Sequence, residues 1–119
     1  MIGVLVAMTS MKPFFLKLDN DQLNTFHQLK TTNDLKSHGP LTKGSGVPIH
    51  THDETAVYAT TQIAEFHDGT MKKVIGRDQD YNAVLVPKEC RHGWLALENG
   101  TKIEHAFGVE NIMKVFLAA

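Results

Sequence analysis

The chain has 119 residues, 42% hydrophobic and 21% charged, a composition that fits one globular domain and excludes a disordered segment. Twelve basic against thirteen acidic residues give a formal net charge of −1, so no basic excess is available for a phosphate backbone and nucleic-acid binding is not expected. The single cysteine, Cys90, excludes an intrachain disulfide and suits a reducing compartment, and the unusual count is that of the histidines, seven.

The run Met1-Ile2-Gly3-Val4-Leu5-Val6-Ala7-Met8 is apolar but too short to span a bilayer, and it lacks the basic flank and cleavage site of a signal peptide. Residues 1–12 therefore read as a leader or an extra N-terminal strand, and residues 13–119 as a single domain of a cytoplasmic protein with no membrane partner. Residues 14–18 predict a short strand. Asp19 and Asn20 predict the cap of a brief helix carrying Leu23, Phe26 and Leu29. Residues 31–47, with Asn33, Asp34, Gly39, Pro40, Gly44 and Gly46, read as loop or as short strands between loops.

From Ile49 the pattern becomes strand and turn. Residues 55–66 are rich in β-branched and aromatic side chains, and Asp68-Gly69 before residues 71–75 is a strong hairpin signal. Residues 83–86 form an apolar run halted by Pro87, and residues 94–97 lead to a turn at Asn99-Gly100. Residues 101–107 alternate, placing Ile103, His105 and Phe107 on one face, and residues 112–117 predict a closing strand. Short strands with turns about every ten residues predict an all-β protein, a sandwich, jelly roll or barrel with at most one or two short helices.

His50 and His52 form a His-x-His pair, and on a strand residues two apart share a face, so both imidazoles can turn to one ion. A third ligand must come from elsewhere. His92, just past the strand that Pro87 ends, is the best candidate, brought alongside by the hairpin between the two segments.

These residues resemble the cupin family. Its first motif is Gly, five residues, His-x-His, three or four residues, Glu; its second contains Pro-x-Gly, two residues, His, three residues, Asn. Here Gly44 precedes His50-Thr51-His52 by five residues, and Pro87 precedes His92 by four. The resemblance spans about residues 44–117. The family's glutamate falls on Ala56 or Val57, the glycine of Pro-x-Gly on Glu89, the closing asparagine on Ala96 and the glycine that opens the second motif on Tyr81. The resemblance implies a cupin-like jelly-roll β-barrel with an interior pocket, a homodimer, and in metal-binding members Fe, Mn, Ni, Cu or Zn. The three histidines alone carry over by position.

Glu54 shares strand parity with His50 and His52, which makes it a candidate fourth ligand or an acceptor for one of the histidines. Tyr58, Gln62, Trp94 and His105 are candidate pocket-lining residues, and Asn82 a further polar one. His67 is expected on a solvated hairpin tip, and His27 and His38 on the surface. Cys90 lies beside Arg91 and His92, which would lower its pKa, but with no base or oxyanion site in view it reads as an inert thiol. Two kinds of function fit: a barrel binding a small molecule through a histidine-held divalent metal, with oxygenation, isomerisation or hydrolysis open, or a metal-free ligand-binding or structural barrel without catalysis.

Overall fold

Branched and aromatic runs interrupted by turn residues set most of the chain into strands. The computed structural model describes residues 12–118. Within them lie β1 (Phe14–Leu16), β2 (Leu35–Leu41), β3 (Gly46–His50), β4 (Ala56–Thr60), β5 (Ala64–His67), β6 (Lys72–Ile75), β7 (Ala83–Val86), β8 (His92–Ala96) and β9 (Thr101–Phe107). Two helices, α1 (Asn20–Gln28) and α2 (Val109–Phe116), and a 3-10 turn (Leu29–Thr32) complete the elements. The leader or strand expected over residues 1–12 falls, apart from Lys12, outside the described residues.

One sheet runs β1-β7-β4-β9-β2 and the other β3-β8-β5-β6, every pairing antiparallel. The all-β architecture with two short helices is the one the sequence predicts. Side-chain alternation builds two cores. From β4, β7 and β9, Ala56, Tyr58, Val84, Val86 and Ile103 face Phe66, Ile75 and Trp94 between the sheets. Val57, Ala59, Ala83 and Leu85 face the other way, onto Phe26, Leu29, Ile112 and Val115 of the helical layer. Covered on both faces, these strands read as unbroken apolar runs rather than alternating ones.

Asp19 caps α1: its carboxylate accepts from the Gln22 amide at 2.8 Å, and Gln22 Oε1 accepts from the Asp19 amide at 2.9 Å. The closing strand expected over residues 112–117 is instead α2. Its apolar residues Ile112, Val115 and Phe116 recur at helical spacing, and Ile112 and Val115 are fully buried on the outer core. Residues 55–66 are divided between the sheets: the chain turns at Thr61-Gln62-Ile63, where the Ile63 amide donates to Glu98 Oε1 at 2.9 Å. Much of residues 31–47 is β2, whose register shifts between His38 and Leu41. Its partly buried residues, Leu35, His38 and Leu41, fall three apart, with Leu35 on the outer core and Leu41 on the inner one, which hides the strand period of two. Asn82 fastens the segment after β1 to the one before β7, its side-chain amide bonding both the amide (2.7 Å) and the carbonyl (3.0 Å) of Leu18, and it lines a pocket with Lys17, Leu23 and Thr60.

Candidate metal centre

His50 and His92 are direct partners across the antiparallel β3–β8 pair. The Asp68-Gly69 hairpin joins β5 to β6 and is not what aligns the two histidine strands. β3 ends at His50, so His52 sits in the following loop and strand parity does not aim it. A backbone tie does: the Glu89 amide donates to the His52 carbonyl at 2.6 Å, fastening that loop to the turn ahead of β8.

The three rings gather closely. Centroids are 4.7 Å apart for His50 and His52, 4.5 Å for His50 and His92, and 5.3 Å for His52 and His92. One nitrogen from each lies within 4.8 Å of the other two. Two donors at ~2.1 Å from a shared ion stand roughly 3 to 3.4 Å apart, so the widest pair has to close by up to about 1.5 Å.

Hydrogen bonds fix which nitrogen is free. Nδ1 of His50 is 2.7 Å from the Pro48 carbonyl, and Nδ1 of His92 is 2.8 Å from the Cys90 carbonyl. A carbonyl can only accept, so each Nδ1 carries the proton and each Nε2 holds a lone pair, the arrangement of a metal-ligating histidine. Nε2 of His92 accepts from the Tyr58 hydroxyl at 2.8 Å. Nε2 of His50 faces Nε2 of His52 at 2.9 Å, so His52 donates there and must shift its proton to Nδ1 to ligate.

Charge on His52 and His92 is disfavoured. Burial, opposed by the Cys90 carbonyl and then reinforced by the neighbouring histidines, lowers the pKa of His92 to about 4. Burial and the charge of His50 and His38 lower that of His52, with Asp53 pulling the other way. Neutral imidazoles ligate without first losing a proton.

Tyr58 and His105 are buried at the same place, their rings stacked with centroids 4.8 Å apart. His105 also stacks on His38 (5.2 Å) and meets Phe107 edge-on (5.1 Å). Its Nδ1 is buried without a well-formed hydrogen bond, and burial together with His38 and His52 lowers its pKa to about 4.

His38 corrects the surface expectation: it is half-buried, 6.4 Å from His50 ring to ring, and burial, then His50, lowers its pKa. The shifted register of β2 concealed it, because no alternation marked its face. The Pro48 and Cys90 carbonyls, which hold the two ligating tautomers, were invisible too, since any residue supplies a carbonyl.

Glu54 lies on a bend beyond β3, exposed, and is not among the grouped donors; the parity argument fails because the strand has ended. Gln62 lies past the far end of β4, with Oε1 3.5 Å from Thr101 Oγ1, away from the histidines. Trp94 is buried against Tyr58 and Phe66 as core, with centroids 5.4 and 5.3 Å away and its indole N–H unpartnered. His67 ends β5 and is partly buried, rather than standing at a solvated tip; the position of a Cβ on Gly93 would be 2.8 Å from its ring. His27 is exposed as expected, 3.2 Å from Glu104. Burial, then the charge of Asp68, raises the Cys90 pKa instead of lowering it, which fits an inert thiol.

Two antiparallel sheets enclosing a histidine cluster at one end define a cupin fold. The chain matches the structure of KdgF from a Halomonas species with a TM-score of 0.50 and 18% identity, over 62% of this chain and 79% of that one. A cupin superfamily protein from Desulfitobacterium hafniense matches with a TM-score of 0.49 and 15% identity, over 61% and 62%, so this match spans about three fifths of that protein's length. An RmlC-like cupin from Shewanella frigidimarina gives 0.47 and 18%, over 66% and 71%. No protein-family model and no curated protein sequence matches the chain. At these identities the likeness carries the fold alone. Among the described residues no helix is long and apolar enough to cross a membrane.

Proposed function

We propose that this chain is a cupin-type barrel that holds a divalent transition metal through Nε2 of His50, His52 and His92 and takes a small oxygen-bearing molecule at the remaining coordination positions. The observation that carries the reading is the tautomer control: the Pro48 and Cys90 carbonyls take the Nδ1 protons of His50 and His92 and leave two lone pairs beside His52. Three nitrogen donors suit Fe, Ni, Cu or Zn, with Mn a harder fit. A bound ion would supply Lewis-acid polarisation and open positions for the small molecule. The chain's own part is to keep His52 and His92 neutral by burial and to line the site with His105, Tyr58 and Phe107.

Elemental analysis of untagged protein tests this. Near-stoichiometric metal in the parent chain and its loss in His52→Ala, with an unchanged circular dichroism spectrum, is the expected result. Metal-free parent protein that takes up no ion from a panel of divalent cations overturns the reading.

One observation favours a second reading. The Tyr58–His92 and His50–His52 hydrogen bonds already pair the ligating nitrogens without any ion, as a metal-free ligand-binding or structural barrel would require. In either reading we propose a cytoplasmic homodimer, on the strength of the single cysteine and the family resemblance.

A further inference from the structure

Three histidines leave the proposed centre without an oxygen donor from the chain. The positions where the cupin pattern has its glutamate hold Ala56 and Val57, and Glu54 is exposed. Tyr58, on the same inward face of β4 as Ala56, is fully buried and reaches the cluster: its hydroxyl is 2.8 Å from Nε2 of His92. Nδ1 of His92 is held by the Cys90 carbonyl, so Nε2 is the atom that both the phenol and an ion would use. One lone pair cannot serve both. When His92 turns to an ion, the Tyr58 hydroxyl loses the hydrogen bond it makes there, and a buried polar group left unpaired is costly. Joining the ion removes that cost. The spacing suits it, because two donors bound at ~2.0–2.2 Å to one ion stand roughly 3 to 3.4 Å apart. A dication among three neutral imidazoles also lacks a counter-charge from the chain, which a phenolate provides.

We propose that Tyr58 is the chain's oxygen ligand to this centre. On metal binding the phenol O–H bond breaks, its proton passes to bulk water, and the oxygen forms a bond to the ion beside His50, His52 and His92, with no change of oxidation state. The proposal rests on the metal-centre reading above.

Cupric ion is the probe, since it stands at the top of the affinity order for such donors. One equivalent added to the untagged full chain should produce a visible phenolate-to-copper charge-transfer band whose resonance Raman spectrum carries tyrosine ring modes. The chain has two tyrosines, and the other, Tyr81, packs against Phe15 at 6.0 Å. The band should persist in Tyr81→Phe and vanish in Tyr58→Phe, while Tyr58→Phe still binds copper through the histidines with several-fold lower affinity. Copper bound at the histidines without this band in the parent chain overturns the Tyr58 assignment and leaves the metal-centre reading standing. No copper binding at the histidines overturns both. If Tyr58→Phe does not fold, the Raman spectra of the parent and Tyr81→Phe proteins decide: tyrosine modes retained in Tyr81→Phe support Tyr58, and modes lost there overturn it.

Discussion

Acid should unfold the metal-free protein through its buried imidazoles, and His105 isolates the effect. In the unfolded chain a histidine titrates near 6.5, whereas in the native state burial and the neighbouring histidines lower His105 to about 4. Above pH 6.5 the ring is neutral in both states and the native fold loses nothing. Between 6.5 and 4 the unfolded chain binds a proton that the native state refuses, so stability falls as the pH falls. At ~1.4 kcal/mol per pH unit the full window is worth about 3 kcal/mol, a large share of a typical domain's stability. His105 is only 4% exposed, so solvent screening removes little of this. The assay is urea denaturation in the presence of a chelator at steps from pH 7.5 to 4, for the parent protein and His105→Gln. Carboxylates titrate in the same window but are common to both proteins. The parent curve should descend about 3 kcal/mol further than the variant's. Parallel curves would refute the reasoning, because His105 would then carry no cost of charging in the native state.

Three further outcomes follow from the same packing. Ile112→Ala should cost about 2–5 kcal/mol in chemical denaturation, since Ile112 is fully buried between α2 and the five-stranded sheet; a loss under about 1 kcal/mol would mean that α2 is not docked there. His52→Ala should remove the metal while shifting Tm by no more than a few degrees, because the His52 carbonyl that anchors the loop is kept; loss of the fold would show that the cluster is structural. Light scattering at micromolar concentration should give twice the monomer mass, and a monomer would end the dimer proposal.

The elements legible in the sequence were those with local causes. The cap at Asp19 announces α1, and the Asp68-Gly69 turn announces the β5–β6 pair. α2 is not legible locally because Ile112, Val115, Phe116 and Leu117 are as compatible with a buried strand as with a helix, and the choice is made by docking against Phe26 and Leu29, residues more than eighty positions earlier. β2 is only half legible because its partly buried residues fall three apart and on both faces, which erases the alternation that marks a strand.

The site divides along the same line. The three histidines could be named from spacing, but spacing gave the wrong cause for two of the placements: His52 is set by a backbone bond from Glu89, and His50 meets His92 by direct pairing. Glu89 shows why a changed residue need not mean a changed backbone. It occupies the position of the cupin pattern's glycine, and it keeps the left-handed conformation, with φ +62°, that a glycine there would adopt freely. Such a conformation costs an ordinary residue roughly 1–2 kcal/mol. The turn holds it nonetheless, because from this conformation the Glu89 amide reaches the His52 carbonyl at 2.6 Å while the Cys90 carbonyl, one residue on, takes the Nδ1 proton of His92 at 2.8 Å. One strained turn thus places the loop of one candidate ligand and sets the tautomer of another.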